Sequence, residues 1–433
     1  MIDMRLIRDQ PELVKTACRN KNAAIDAAGI DRLLKLDTQR RALTAHIEEL
    51  RRERNELAVA AKGTKPSADN VARGKALKEQ VNELEAQLAG IETEYYQLWR
   101  EVPNLPLADV PVGTSEDDNV VAKTVGEPPV FDFEPKNHWE LAAGPGWIDK
   151  DRAAKITGAR FAYLKGGLVR LHFAMVQFGL DVLTNESILA EIALKAGLDV
   201  PTKAFVPVMP PALVRTEVYE ATGRLNAQDQ TYKLEDDDLW LNASAEHSLA
   251  PMYLNEIVPE AELPLRLVGY ATSFRREAGT YGKDTEGIFR LHQFDKLEME
   301  SFTTAEASLA EHLFMVAIQE YLMSQLELPY RVVLKCTADI GKPNARGVDI
   351  DTWLPGQGQY RETHTADLIT DYQTRRMQTR VRRTSGAVEL AHTNDATAFS
   401  QRPLIAILEN YQQADGSVRV PAVLQKYYGG QTL

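Results

Sequence analysis

The strongest periodic signal in the chain runs from about residue 30 to residue 101. Leu77, Val81, Leu84, Leu88, Ile91, Tyr95 and Leu98 recur at alternating spacings of four and three. Such a seam stays on one helix face only if two helices wrap around each other. Upstream, Leu36, Leu43, Leu50 and Leu57 repeat every seven residues, with Ile47 on the same face. Between the two runs stands Gly63-Thr64-Lys65-Pro66-Ser67, a cluster of turn residues. The pattern predicts an antiparallel helical hairpin whose arms, roughly 32 residues each, span about 48 Å at 1.5 Å per residue. A hairpin that long should project into solvent. A parallel dimerisation coiled coil is the alternative from the heptads. The short turn argues instead that the seam is satisfied within one chain.

A stretch rich in Pro and acids follows, with Val102-Pro103-Asn104-Leu105-Pro106, Ser115-Glu116-Asp117-Asp118 and Glu127-Pro128-Pro129. It reads as a linker. The expected organisation is an N-terminal domain over 1–105, a linker over 106–135 and a larger domain over 136–433. In the larger domain one long helix is expected over 167–196, then a strand Phe205-Val206-Pro207-Val208 leading into Met209-Pro210-Pro211. Further strands are suggested around 266–274, 290–300, 330–336, 347–354, 359–364 and 403–409. Many strands without regular βαβ alternation favour an antiparallel sheet flanked by helices, an α+β domain. Neither common Gly-rich phosphate loop occurs, which argues against a P-loop or dinucleotide fold.

Composition narrows the class. The 433 residues leave room for two or three domains, and 44% hydrophobic with 26% charged residues is ordinary for a soluble globular protein. No apolar run approaches the roughly 18 residues that cross a bilayer, so no membrane is expected. The start, MIDMRLIRDQPEL, lacks the basic-then-apolar layout of a secretory signal. The only cysteines, Cys18 and Cys336, match no metal spacing; a cytoplasmic location is expected. The net charge of −12 argues against a broadly basic nucleic-acid coat. Residues 40–78 nevertheless carry ten Lys/Arg against five Asp/Glu, a local +5. That charge gathers toward the predicted turn, where a phosphate-reaching tip would need it. Arg51, Arg52, Arg54, Lys62, Lys65, Arg73, Lys75 and Lys78 are the candidate RNA contacts, although such positions can also be plain solvated helix flanks.

The densest chemistry lies in 272–300. One predicted strand ends in Arg275 and Glu277, a Gly-punctuated loop follows, and a second strand carries Arg290, His292, Phe294, Lys296 and Glu298 at every other position. Alternate strand residues share a face. Arginine forks can clamp a triphosphate, a ring can stack on a base, and carboxylates can read an amine or a purine amino group. A solvent-facing strand of alternating charge fits the same pattern.

The run Phe-Arg-Arg-Glu-Ala-Gly followed by Arg-x-His-Gln-Phe-Asp-Lys-x-Glu resembles motif 2 of class II aminoacyl-tRNA synthetases, in the wording of the seryl enzymes. The resemblance extends through the helical arm, Thr222-Gly223-Arg224-Leu225, Ser244-Ala245-Glu246, Trp353-Leu354-Pro355-Gly356-Gln357 and Leu404-Ile405-Ala406-Ile407-Leu408-Glu409-Asn410-Tyr411-Gln412. It places motif 1 at about 185–211, motif 2 at 266–300 and motif 3 at 392–412. It implies an ATP- and Mg²⁺-dependent enzyme that activates L-serine and charges tRNA(Ser), with tRNA(Sec) as a further candidate acceptor, and a homodimer built through motif 1.

Roles follow from the resemblance residue by residue. Arg275 and Arg402 would be the catalytic arginines. Arg275, Arg276, Glu277, Arg290, Phe294, Glu362, Thr363, His364, Thr365 and Arg402 would surround ATP, with Phe294 stacked on the adenine. Glu362 and Thr365 would meet its Mg²⁺. Ser244, Ala245, Glu246, Arg275, Glu298, Asp395 and Thr397 would surround serine. The chain departs from the family's pattern in places. Glu362-Thr363-His364-Thr365-Ala366-Asp367-Leu368 stands where Glu-x-Ser-Ser-Cys-Ser-Asn is usual, Asp395 replaces an asparagine, and the segment from Thr397 to Arg402 is one residue short. These changes keep a carboxylate and hydroxyls in the pocket and read as a lineage variant. Two rival readings remain: a paralogue that charges a carrier or metabolite, which would have little use for a basic hairpin, and a non-catalytic RNA-binding homologue, which would have little use for Arg275, Glu277, Phe294, Glu362 and Arg402 together.

Overall fold

The computed structural model describes residues 1–60, 67–225, 230–277 and 286–433. They divide into two compact units, Met1–Leu105 and Pro106–Leu433.

The first unit is helical: α1 Met4–Asp9, α2 Pro11–Asn20, α3 Ala27–Ala60 and α4 Ala68–Glu101. The last two are 34 residues each. Their cross-pairs Arg32–Glu94, Arg40–Glu92, Arg51–Glu85 and Glu53–Arg73 run in opposite senses along the chain, so the helices are antiparallel. Ile47, Leu50, Leu77 and Val81 are buried between them, with Leu57, Leu84 and Leu88 packed against that cluster. The seam is thus closed within one chain. Ser67 caps α4 by accepting the Asn70 N–H. Lys62, Lys65 and the expected turn at 63–66 lie outside the described residues. At the far end Arg40 sits 5.0 Å from the Tyr95 ring centroid, and Trp99 Nε1 donates to the Ile2 carbonyl at 3.0 Å.

In the second unit the described residues form an eight-stranded main sheet. Its strands are β1 Val120–Val125, β2 Val206–Val208, β3 Leu265–Phe274, β4 Gln293–Thr303, β5 Tyr330–Leu334, β6 Arg346–Leu354, β7 Gln359–Thr370 and β8 His392–Phe399. The order across the sheet is β1-β5-β6-β7-β8-β4-β3-β2, antiparallel except for β2 against β3. Helices α5 Gly167–Leu183, α6 Glu186–Ala196, α7 Ser308–Gln325 and α8 Gln401–Asn410 contribute apolar faces to one core. Within it Phe314, Met315, Ile318 and Leu322 of α7 join Ile350, Ala366, Ala396 and Phe399 of the sheet. The Gln319 side-chain amide of α7 donates to the carbonyls of Thr365 and Thr397, 2.8 Å each, and so ties β7 to β8.

Four expectations need correction. Residues 106–135 are not merely a linker, because β1 pairs with β5 at the sheet edge. Its side chains are nearly all exposed, so backbone bonding places it and hydrophobic pattern does not. The helix expected over 167–196 is two helices, because Asn185 accepts the N–H groups of Ser187 and Ile188 and starts a new one. The apolar run 403–409 is helix α8, capped by Ser400. It is buried on every side, and periodicity cannot separate that from a buried strand. Finally β4 begins at Gln293, so Arg290 and His292 precede it. The central strand β8, rich in Thr, Asn, Asp and Ala, gave no apolar signal and was not anticipated.

Candidate active site

β3 and β4 pair from Leu265–Phe302 to Phe274–Gln293, so Arg275 leaves β3 beside Phe294 at the start of β4. The Arg275 guanidinium lies 5.1 Å from the Phe294 ring centroid, and its Nε donates to the Ala243 carbonyl at 3.0 Å. The Arg275 N–H and the His292 carbonyl are 2.9 Å apart, and His292 Nδ1–H donates to the Arg275 carbonyl at 2.8 Å. That bond, with the ring packed 5.3 Å from Phe161, turns His292 into the wall. Across the cleft Arg402, at the start of α8, lies 4.6 Å from the Phe289 ring centroid and pairs with Glu362 at 2.7 Å.

A buried dyad holds Phe289 in place. His138 Nδ1 is 2.9 Å from Glu409 Oε1, and the Ile288 N–H donates to His138 Nε2 at 3.1 Å. Because Nε2 accepts, the ring proton sits on Nδ1. Glu409 Oε2 also accepts the Gly356 N–H at 3.0 Å, which joins α8 to the turn after β6. Gly287, at φ +67°, makes the approach feasible, since a Cβ there would fall 2.0 Å from His138 Nε2.

Two cavities result. The first encloses about 630 Å³ open to solvent and is lined by Arg275, Glu277, Phe289, Arg290, Phe294, Lys296, Glu362, Thr363, Thr365, Thr397, Gln401 and Arg402, among others. The second, about 800 Å³, is lined by Tyr219, Arg224, Ser244, Glu246, His247, Asp367 and Asp395, together with Arg275, Lys296 and Thr365. Arg275, Lys296 and Thr365 therefore stand at the junction. Basic and aromatic groups dominate one side, which suits a nucleotide polyphosphate. Carboxylates dominate the other, which suits an ammonium.

The second cavity is electrostatically crowded. Burial pushes the Glu246 carboxyl up, but Arg224 outweighs it and holds Glu246 at about 2. Burial, then the charge of Glu246, drive Asp395 well above the usual carboxylate range. Burial raises Glu298 as well, against the pull of Lys296 2.6 Å away. His247 is lowered to about 3 by burial and is neutral.

Most sequence-derived candidates meet at this junction. Arg275, Glu277, Arg290, Phe294, Glu362, Thr363, Thr365 and Arg402 line the first cavity. The Thr363 hydroxyl is turned away, bonded to Thr352 Oγ1 at 2.7 Å. Ser244, Glu246, Arg275 and Asp395 line the second. Thr397 lines the first cavity rather than the second. Four candidates are corrected. Arg276 is exposed and lies 5.8 Å from the Tyr232 ring centroid, outside both cavities. A bulge where Ile350 and Asp351 face β7 turns His364 under the sheet toward Phe399. Ala245 packs into a small apolar cluster with Leu249 and Phe302. Glu298 lies behind Lys296 and lines neither cavity.

Sequence reasoning assigned no individual role to Arg224, Asp367, Lys296 or Phe289, although Arg224 and Asp367 stood inside quoted segments and Lys296 stood on the face shared with Phe294. Among the described residues no group of three or more His, Cys, Asp and Glu is arranged to hold a metal ion. Glu362 and Thr365 supply oxygen donors on the first cavity, which fits Mg²⁺ held mainly by nucleotide phosphates. Among the described residues no helix is long and apolar enough to cross a membrane.

Residues 1–106 match the seryl-tRNA synthetase N-terminal domain, and residues 231–411 match the class II tRNA synthetase core domain of the G, H, P, S and T enzymes. The serine–tRNA ligase of Symbiobacterium thermophilum is 37% identical over 99% of this chain and 98% of its own length. That of Acidothermus cellulolyticus is 40% identical over 100% and 99%. The crystal structure of seryl-tRNA synthetase from Pyrococcus horikoshii complexed with ATP superposes with a TM-score of 0.88 at 37% identity, covering 100% of this chain and 99% of that one.

Proposed function

The chain belongs to the seryl-tRNA synthetases, class II ligases that consume ATP, and on that premise we propose how its residues share the work. The reaction is activation of L-serine followed by transfer to tRNA. A serine carboxylate oxygen attacks the α-phosphorus, the bond to pyrophosphate breaks, and seryl-adenylate forms. A ribose hydroxyl at the tRNA 3′ end then attacks the activated carbonyl and AMP leaves. One observation carries the assignment of parts: Arg275, Lys296 and Thr365 line both cavities. The α-phosphate and the serine carboxylate must meet at such a junction.

Arg275 neutralises charge on the α-phosphate and aligns the two reactants, which is most of what this chemistry asks of a protein. Phe294 carries the adenine, and Arg402, fixed by Phe289 and Glu362, faces the outer phosphates. Mg²⁺ held by Glu362, Thr365 and the phosphates would offset polyphosphate charge. Glu246 meets the serine ammonium, Ser244 and Thr365 are hydroxyls on the lining of the serine cavity, and Thr397 stands in the adjoining nucleotide cleft. A pocket that hydrogen-bonds a hydroxyl rejects alanine strongly. The arm binds tRNA(Ser), with tRNA(Sec) as a second acceptor, through phosphates. Arg51 and Arg73 already pair with Glu85 and Glu53 at 2.6 Å each. Arg52 and Lys75 have only distant partners, and Arg54 and Lys78 are the stronger candidates among the described residues. The open edge strand β2, with Val206 58% exposed, and Met209 just beyond it, 87% exposed, support a homodimer through this unit. A cytoplasmic site of action follows from the acceptor.

ATP–pyrophosphate exchange with each amino acid, with and without tRNA, tests the reading. Serine alone should drive exchange without tRNA, and serine should then appear on tRNA(Ser). Exchange with serine but transfer to a carrier would favour the paralogue; no exchange would favour the RNA-binding homologue.

A further inference from the structure

Arg224 is a buried cation with three carboxylates around it. Its Nε is 2.7 Å from Glu246 Oε1, and its Nη2 is 2.9 Å from Asp395 Oδ2 and 3.6 Å from Asp367 Oδ2. These four side chains come from separate parts of the chain: the loop after residue 221, the segment at 246, β7 and β8. Asp367 and Asp395 are directly opposite each other across the β7–β8 ladder, so two carboxyl groups face one point, and burial with mutual repulsion holds the proton on Asp395 and leaves the pair one negative charge. Glu300 is opposite Asp395 on the other side, in β4. Lys296 is engaged by Glu298 at 2.6 Å, and Arg275 borders the nucleotide cleft. While Lys335, paired with Asp349 at 3.2 Å, adds positive charge on the Asp367 side, Arg224 is the cation that reaches Glu246, Asp367 and Asp395 together. Its bond and that of Gln373 Nε2 both fall on Glu246 Oε1, and the second oxygen remains for a ligand ammonium.

We propose that Arg224 is a specificity-determining positioning residue, which neutralises the Asp367–Asp395 pair so that the pocket takes an amino acid with one ammonium and an uncharged, hydroxyl-bearing side chain. The inference rests on the assignment of this cavity to the amino-acid substrate. Serine then offers its ammonium to Glu246 Oε2 and its hydroxyl to a floor whose charge is already balanced. A diamino acid would bring a second ammonium against Arg224 and be repelled. Without Arg224 the paired aspartates would attract that same group.

The test is ATP–pyrophosphate exchange by the full chain with L-serine and with L-2,3-diaminopropionate, in which an ammonium replaces the hydroxyl, below neutral pH so that both amines are charged. Arg224→Gln should lower the serine-to-diaminopropionate ratio of kcat/KM by about a hundredfold while KM for ATP holds. Arg224→Lys keeps the charge and should retain the ratio within about tenfold of the parent. Should Arg224→Gln not fold, the double variant Asp367→Asn/Asp395→Asn serves instead; it removes the charge of the pair, leaves the guanidinium unopposed on that side and should raise the ratio. A loss equal for both substrates in Arg224→Gln, or a ratio unmoved in the double variant Asp367→Asn/Asp395→Asn, would overturn the proposal and reduce Arg224 to a structural ion pair. Absence of serine-dependent exchange in the parent is a separate result, which refutes the functional reading itself.

Discussion

Replacing Arg275 by Ala separates chemistry from fold. Among the described residues the side chain donates one hydrogen bond, to the Ala243 carbonyl at 3.0 Å, and makes one ring contact, 5.1 Å from the Phe294 centroid. A hydrogen bond from a charged group contributes about 1.5–3 kcal/mol and an exposed cation–π contact about 0.5–1 kcal/mol. The vacated space is an open cleft where water can solvate the Ala243 carbonyl, so the net cost of folding falls to about 1–2 kcal/mol. A folded domain survives that loss. Removing one preorganised donor from a developing negative charge costs about 10²–10³ in kcat, or roughly 2.7–4 kcal/mol. Serine-dependent pyrophosphate exchange at saturating ATP should therefore collapse while a thermal melt moves by only a few degrees. Arg275→Lys, which keeps charge but loses the planar fork, should fall between. A folded Arg275→Ala chain with exchange within a few-fold of the parent would refute the α-phosphate role.

Three further outcomes are expected. His247, His312 and His364 are each lowered to about 3 by burial, so the unfolded chain binds more protons than the folded one between about 6.5 and 3. Stability contributed by these neutral rings is intact above 6.5 and should drop by about 1.4 kcal/mol per ring per unit as pH falls through that window, read as a falling urea midpoint; a flat midpoint would contradict it. Deleting residues 1–105 should leave serine activation nearly intact and abolish tRNA charging, whereas Arg54→Ala and Lys78→Ala should each flatten the salt dependence of tRNA binding by somewhat under one unit of slope. Met209→Glu, just beyond the open edge strand, should shift sedimentation of the full chain from dimer toward monomer, and an unchanged dimer would place the interface elsewhere.

What the sequence alone determined was whatever depends on local pattern. The heptads of Leu36–Leu57 and Leu77–Leu98 specify two wrapped helices because a seam every three and four residues has no other use. Arg275, Phe294 and the run around them are close in the chain, so they could carry the family resemblance that implies nucleotide chemistry, although their alternation alone fits a solvent-facing strand equally well. Tertiary structure decided what distance in sequence concealed. Strand β8 was invisible because a central strand of Thr, Asp and Ala is stabilised by its neighbours and not by its own hydrophobicity. His364 left the site because a single bulged residue in β7 reverses which side chains face the cleft. Arg224 acquired a role only when folding brought Glu246, Asp367 and Asp395 within 3.6 Å of one guanidinium. The charge state of a buried group is set by the sum of its neighbours, and that sum exists only in three dimensions.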